Sequence, residues 1–393
     1  MVPLRISVIP ALSLSTAKST SLAMMNSVIR IPINTKSHAY EAVIEHGALR
    51  RAGELITTAC GGQTPRAFVV TVRPVRRRWG NVLARSLEAA NIAHAFVEMR
   101  DGETYKRMTT VDRLAENLVR LGADRKALVI AFGGGVVGDV AGMLASVYMR
   151  GVRLVQIPTT VQAQLDAAIG GKTGVNLRAG KNLVGTFYQP ELVLIDPATL
   201  KTLPQREFRA GMYEAIKAGI IGNPQLFGEL AQLSIKRLRE DAKAVTHAIS
   251  ESVRLKADVV SADEREGDQR RVLNLGHTLG HALEAATGYK HFLHGEAVAW
   301  GMQAAARIAV DMGVCDFLTY DRIRAAVHSW GPLPEVNVQN AKALQLLRSD
   351  KKTEGGTVHF VLPRKVGKVE IVKNVPERVV VTALSEIRRA SRV

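Results

Sequence analysis

The sequence predicts an α/β fold: an N-terminal Rossmann-like domain with a mainly parallel sheet, followed by a mostly helical domain. Three observations carry this. Short apolar runs alternate with segments of helical spacing through the first half of the chain, the pattern of strands joined by crossover helices. One run, Ala127–Phe132 (ALVIAF), is continuously apolar and ends in glycines, as a strand buried on both faces should. Past Pro204 the texture becomes helical almost throughout.

Taken in order, the pattern turns strand-like from Val28. Arg66–Thr71 and His94–Glu98 read as strands with a helix, Trp79–Ala93, between them. Val111–Leu121 reads as a helix, and Leu154–Pro158 and Leu192–Ile195 as further strands. Helical spacing then marks Arg206–Gly219, Pro224–Leu233, Ala242–Asp258, Thr278–Thr287, Glu296–Met312 and Tyr320–Trp330, with strand signals only at Val358–Leu362 and Val369–Val372. The expected division is therefore 27–204 for the α/β domain and 205–393 for the helical one. Residues 1–26 contain no Asp or Glu and are rich in Ser, Thr and Ala. They are expected to be a disordered extension or the product of a start codon assigned too early.

The 393 residues are 47% hydrophobic and 23% charged, a globular composition without a run long enough to span a membrane. The two cysteines, Cys60 and Cys315, are far apart and read as thiols of a reducing, cytoplasmic compartment. Lysine and arginine exceed the acids by 17. Such an excess suits nucleic acid, an anionic membrane or an anionic small molecule. Much of it lies in tracts such as Arg73–Arg78 and Arg388, Arg389 and Arg392, with no aromatic interleaving, so solvated surface and an anion site are expected instead of nucleic acid.

Three motifs carry chemistry. Gly133-Gly134-Gly135-Val136-Val137-Gly138-Asp139 follows the buried strand; glycines there let backbone approach a pyrophosphate at a helix N-terminus, although plain tight turns use glycine too. The second runs through Arg150, Pro158-Thr159-Thr160, Asp166, Gly170-Gly171-Lys172-Thr173 and Gly180-Lys181-Asn182. Its cations and Asn182 suit an anionic polyol, with Asp166 accepting from hydroxyls; the bland reading is an exposed glycine loop. The third comprises Arg270, Asn274, His277, His281, His291 and His294. His277 and His281 share a helix face, a spacing that suits a divalent metal. A carboxylate ligand has to come from elsewhere, and Glu214 in GMYEAIKAG is one candidate among several.

Together the strings GGGVVGDVAG, YMRG, IPTTVQAQLDAAIGGKTGVN, GKNLVGTFYQP, TLKTLP, GMYEAIKAG, DEREGDQRRVLNLGHTLGHALE, LHGEAVAWGM and SDKK closely resemble the 3-dehydroquinate synthase family of sugar-phosphate cyclases, over roughly residues 40 to 375. The resemblance implies an NAD-binding domain before a metal-binding one, and zinc, with cobalt as a substitute, held by Glu214, His277 and His294. His281 then lies on the substrate side, and Glu266 and His281 match positions with proton-transfer roles. Substrate contacts would be Arg150, Asp166, Lys172, Asn182, Lys217, Lys256, Arg270, Asn274 and one of Lys351 or Lys352. NAD contacts would be Glu103, Lys106, Gly134, Gly135, Val136, Asp139, Thr159, Thr160, Lys181, Thr199, Leu200 and Thr202.

The implied reaction converts 3-deoxy-D-arabino-heptulosonate 7-phosphate, an anionic sugar-acid phosphate, to 3-dehydroquinate and phosphate, a step toward chorismate and the aromatic amino acids. It needs neither nucleic acid nor membrane. The resemblance also implies a homodimer in which Arg150 reaches the neighbouring subunit, with the apolar stretch Val140–Tyr148 expected to bury the interface. Two departures stand out. Thr71 is followed by Val72 and Arg73, where the family often shows Asp or Asn near the adenosine end of NAD, and Trp300 stands where a smaller residue is expected. The competing readings are another sugar-phosphate cyclase, a metal-dependent alcohol or glycerol dehydrogenase, which would accumulate NADH, and a nucleic-acid binder.

Overall fold

The computed structural model describes residues 28–63, 65–351 and 358–392. The N-terminal extension and Lys352 therefore lie outside the described residues, as does the side chain of Lys351. The chain divides into two units, Val28–Ala215 with Lys236–Arg270, and Ile216–Ile235 with the residues from Arg271 onward.

In chain order the first unit contains β1 (Ile29–Asn34), β2 (Ala39–Ile44), α1 (Ala52–Ala59), β3 (Ala67–Val72), α2 (Asn81–Ala89), β4 (His94–Met99), α3 (Met108–Arg120), β5 (Leu128–Gly133), α4 (Gly135–Val147), β6 (Arg153–Pro158) and β7 (Leu192–Ile195). The sheet order is β1-β2-β7-β6-β5-β3-β4, parallel except for the β1–β2 hairpin. All six residues of β3 and of β5 are buried, as their almost wholly apolar runs require when helices cover both faces, and the one polar side chain of β3, Thr71, donates to the Phe132 carbonyl. On one face Val111, Leu114 and Leu118 of α3 pack with Val137, Val140 and Leu144 of α4. On the other, Leu55 and Ile56 of α1 pack with Leu83 and Leu87 of α2.

The apolar stretch before Arg150 is thus already used. Val140 to Ala145 are buried in their own unit's core, and only Val147 and Met149 stay exposed at its end. The expectation that Val140–Tyr148 as a whole buries an interface is corrected accordingly. The basic tract behind Arg73 is also placed: Arg73–Val75 is a helical turn, Arg76–Gly80 a π-helical turn, and both lead into α2.

The chain passes from the first unit to the second within α5 (Gln205–Ile221). There follow α6 (Pro224–Gln232), α7 (Ile235–Glu240) and α8 (Ala242–Ala262); the chain returns to the first unit at Lys236, so α7 beyond Ile235 and the whole of α8 belong to it, and α8 lies along β1. The second unit continues with α9 (His277–Ala286), α10 (His294–Asp311), α11 (Phe317–His328), α12 (Asn340–Lys351), the hairpin β8 (His359–Lys365) and β9 (Lys368–Lys373), and α13 (Glu377–Ala390). Its centre is α10, fourteen of whose eighteen residues are buried. Trp300 is one of them: it is 1% exposed, donates from Nε1 to the Pro334 carbonyl at 3.0 Å, and meets the His328 ring edge-on. That carbonyl satisfies the indole N–H, so the large ring is tolerated in the core.

Candidate active site

The glycine turn sits where the strand order reverses, between β3 and β5, the place where open α/β sheets bind ligands. Gly133, Gly135 and Gly138 keep the G-x-G-x-x-G spacing, and their surroundings explain why. A Cβ on Gly133 would lie 2.6 Å from Val137 Cγ2, and one on Gly138 would lie 3.0 Å from Gln156 Oε1 of β6. Side chains there would push α4 off the sheet. Gly134, in front of α4, offers no side-chain cap, so the helix's first amides remain for an anion. Val136 follows in the first turn, and Thr159 donates its amide to the Gly133 carbonyl at 2.9 Å. The Thr160 hydroxyl accepts from the Ala163 amide.

Beside the turn, one network gathers five of the sequence-predicted residues and one that sequence reading missed. Lys106, 4% exposed, binds both Asp139 and the Asn182 side-chain oxygen. Lys181 lies 3.8 Å from Glu103. Asn176 ties the two together: it donates to Glu103 at 2.8 Å and to the network's backbone at the Lys106 carbonyl, while its side-chain oxygen accepts from the Asn182 amide at 2.9 Å. Burial pushes the Asp139 carboxyl up, and Lys106 pulls it back. Asn176 closes the quoted IPTTVQAQLDAAIGGKTGVN string, which was the signal available for it. Thr199, Leu200 and Thr202 lie on the 3-10 turn Pro197–Thr202; Thr199 bonds the Asp196 carbonyl, Leu200 is core, and Thr202 accepts from the Trp79 indole.

A second network in the same unit holds the polyol-loop residues. Lys256 donates to Asp166 at 2.6 Å, and Lys172 pairs with Glu266. Arg270, 2% exposed, donates to the carbonyls of Glu264 and Gly170, the latter at 3.0 Å, and its guanidinium faces the Phe187 ring. Burial pulls the Arg270 pKa below its usual value, and Glu266 and Asp166 oppose that. Gly170 also donates its amide to the Tyr40 hydroxyl at 3.0 Å, so the loop is clamped from both sides. Arg150 is exposed on a tip where Met149, Arg150 and Gly151 all have positive φ.

In the other unit, α9 and α10 cross closely because of glycines. A Cβ on Gly301 would fall 1.9 Å from the Gly276 carbonyl oxygen, and one on Gly280 would fall 3.0 Å from that of Ala297. Gly276 itself has φ +80, a left-handed start that glycine adopts without penalty. This approach brings His277 and His281 of α9 onto His294 of α10. Their ring centroids are 5.2, 5.1 and 5.7 Å apart, and one nitrogen from each lies within 4.8 Å of the others. His277 Nδ1 faces the Leu275 carbonyl at 3.2 Å, and His294 Nδ1 faces the Glu284 carboxylate at 3.0 Å. Both contacts engage Nδ1 and so assign Nε2 as the nitrogen offered to a metal. Glu284, 3% exposed, is a second residue that sequence reading missed. His291 is outside the cluster, bound to the Glu335 carbonyl. Glu214 and Lys217, 2% and 4% exposed, are three residues apart on α5, and Asn274 ends a 3-10 turn.

A glycine turn at a sheet's switch point, followed in the chain by a helical unit with clustered histidines, defines an enzyme of the nucleotide- and metal-using class. Known proteins narrow this. Residues 96–210 match the family model for the 3-dehydroquinate synthase N-terminal domain, and residues 211–353 that for the C-terminal domain. The 3-dehydroquinate synthase of Koribacter versatilis is 50% identical over 364 residues, covering 93% of this chain and 99% of that protein. A solved 2-deoxy-scyllo-inosose synthase complexed with carbaglucose-6-phosphate, NAD+ and Co2+ superimposes with a TM-score of 0.80 at 25% identity, covering 91% of this chain and 99% of that one. The 2-epi-5-epi-valiolone synthase of Streptomyces hygroscopicus subsp. jinggangensis, with NAD+ and Zn2+ bound, gives 0.80 at 28% identity, covering 96% and 100%. The chain belongs to the 3-dehydroquinate synthase family.

Proposed function

We propose that this enzyme converts 3-deoxy-D-arabino-heptulosonate 7-phosphate to 3-dehydroquinate and phosphate, with NAD and zinc as resident cofactors. Within the molecule, the observation that carries the reading is the cluster of His277, His281 and His294. The residues present fit both groups. Two imidazoles with Nδ1 already engaged are the donors a borderline-soft divalent ion takes, and a glycine turn too crowded for side chains is the cradle a pyrophosphate takes. We assign the zinc to His277, His294 and Glu214. We assign NAD to the turn at Gly134, Gly135 and Val136, to Thr159 and Thr160, to the Glu103–Lys106–Asp139–Lys181 network, and to the turn bearing Thr199, Leu200 and Thr202.

When bound, NAD would supply reversible oxidation at one substrate carbon and zinc would act as a Lewis acid on adjacent hydroxyls. The chain's own residues do the rest. Lys172, Lys256 and Arg270 offer cations to the substrate's carboxylate and phosphate, with Asp166 and Asn182 reading hydroxyls, and Lys217, Asn274 and Lys351 or Lys352 adding to them. His281, exposed on the first turns of α9, and Glu266, paired with Lys172, move protons at the reacting carbons and the departing phosphate. Reversible oxidation by a bound NAD would leave the reaction redox-neutral, so turnover should release phosphate without net NADH.

We place the enzyme in the cytoplasm as a homodimer in which Arg150 serves the neighbouring subunit. The exposed tip at Arg150, flanked by the exposed apolar Val147 and Met149, supports this. The net charge of +17 is assigned to surface and to attraction of the anionic substrate instead of nucleic acid. No helix among the described residues is long and apolar enough to cross a membrane. The test is an assay of phosphate release from the heptulosonate phosphate, with and without a chelator. Release that is lost on chelation and restored by zinc fits the proposal; no release with metal and NAD present contradicts it.

A further inference from the structure

The large sheet comes apart at one place, near its C-terminal edge. β5 and β6 stay paired to their last residues, Gly133 and Pro158, and β2 and β7 stay paired to Ile44 and Ile195. β6 and β7 pair only through Val155–Leu192 and Gln156–Val193, so their last two residues form no rungs with each other. The two sides of this split lead into different segments. β6 runs into Thr159 and Thr160, and β7 runs through Asp196 into the 3-10 turn Pro197–Thr202.

Gln164 bridges the split. It lies on the π-helical turn Ala163–Ala167, and its backbone amide donates to the Thr160 carbonyl at 2.9 Å. Its side chain is buried, and Nε2 donates to the Pro158 carbonyl at 3.1 Å, the Asp196 carbonyl at 3.0 Å and the Thr199 hydroxyl at 3.1 Å. Carbonyls only accept, so the nitrogen must be the atom that faces them. Oε1 is left buried without a donor among the described residues. A hydrophobic side chain of similar size would fill the space without that unmet oxygen, so packing alone does not call for glutamine here. On the β7 side Asp196 is itself fixed, because its carboxylate accepts the amides of Gly47 and Leu49 at 2.7 and 3.0 Å.

We propose that Gln164 is a positioning residue that holds two parts of the nucleotide site in register. Its amide stands in for the ladder hydrogen bonds that β6 and β7 lack at their ends. It thereby sets the Thr159–Thr160 backbone against the turn bearing Thr199, Leu200 and Thr202. Neither segment can shift against the other without breaking a buried hydrogen bond. Gln164 is 0% exposed, so it acts through these residues and not by touching NAD. The inference rests on the assignment of NAD to both segments.

Calorimetric titration of the full chain with NAD, alongside thermal unfolding, tests it. Gln164→Met removes the donors and keeps the bulk, and should weaken NAD binding at least about tenfold. Gln164→Glu keeps the size, and its buried carboxyl, held protonated, keeps one donor; its NAD affinity should fall between those of Gln164→Met and the wild type. The control is Leu118→Ala, which hollows the same unit's core at the last turn of α3. It should lower the unfolding temperature at least as much yet leave NAD affinity within about twofold of wild type. NAD affinity within about twofold of wild type in the folded Gln164 variants would overturn the proposal while leaving the nucleotide site standing. So would a loss in Leu118→Ala as large as in Gln164→Met, since the effect would then follow from destabilisation alone. Failure of the wild type to bind NAD would remove the nucleotide assignment itself, and this inference with it.

Discussion

The buried carboxylate of Glu284 lies 3.0 Å from Nδ1 of His294. The pair joins α9 to α10 and fixes which imidazole nitrogen the helix presents. A carboxylate behind a ligating histidine orients the ring and raises its basicity. Glu284→Leu should therefore weaken zinc binding by about 10- to 100-fold, whereas Glu284→Gln, which keeps an acceptor for the Nδ1–H, should fall between that variant and wild type. Competitive titration against a chelating dye reads both. Unchanged zinc affinity in the leucine variant would remove the positioning role.

The close approach of α9 and α10 is predicted to depend on Gly301. Its alanine variant would place a methyl 1.9 Å from the Gly276 carbonyl oxygen, backbone that cannot rotate away. Separating the helices should cost at least about 1–3 kcal/mol, as overpacking does, and should weaken zinc binding as well. Thermal unfolding with and without zinc distinguishes the two effects. Gly228 of α6, where a Cβ would meet nothing within 4 Å, is the control, and alanine there should be neutral or stabilising.

Tyr40 predicts an alkaline limit. Burial pushes its phenol up to about 12, and the Gly170 amide and Arg270 moderate the rise. Below the ordinary tyrosine pKa of 10.0 both folded and unfolded chains hold the proton, and the group adds no pH dependence. From there to about 12 only the unfolded chain ionises, so Tyr40's contribution to stability declines as pH rises. Tyr40→Phe should shallow the loss of stability across that window. At pH 8 it should cost about 1–2 kcal/mol, because the buried Gly170 amide loses its acceptor. Denaturant unfolding at pH 8 and at pH 11 checks both.

These expectations draw on features of uneven legibility. The sheet could be read because strands buried on both faces are unbroken apolar runs, and β5 with its glycine turn stood out most clearly. α13 could not be read. Its Val379-Val380-Val381 run is β-branched, yet the helix buries Val379, Val380, Ala383, Leu384 and Ile387 on one stripe, so tertiary packing outweighed local propensity. α12 was missed as well, and the Arg73–Gly80 tract showed only as charge. In the histidine cluster, spacing put His277 and His281 on one face. Bringing His294 to them requires the glycine-mediated crossing, which has no periodic signature. Glu284 and Asn176 act through hydrogen bonds to residues 10 and 73 positions away, and nothing local marks such partners.

The lysine that joins the nucleotide network should be costly to remove. Lys106 is buried and bonded to both Asp139 and Asn182. Lys106→Met would leave the Asp139 carboxyl, already pushed up by burial, without its cation. Removing one partner of a buried pair typically costs about 3–5 kcal/mol. Side-chain exposure of Asp139 places this one toward the low end, and lowering the pH should recover part of the loss as the carboxyl protonates. Urea unfolding of the variant at pH 7 and pH 5 reads the recovery; a loss that is the same at both would contradict the pairing.

One paired measurement tests whether the three clustered histidines divide into metal ligands and a proton-handling residue. Zinc content and phosphate release are determined for His277→Ala and His281→Ala, with NADH followed in the wild type. The expected result is that His277→Ala loses both zinc and turnover, that His281→Ala retains zinc but loses most phosphate release, and that wild-type turnover leaves NADH flat. Loss of zinc from His281→Ala as complete as from His277→Ala would contradict the ligand assignment, and NADH rising in step with product would contradict the cyclase reaction.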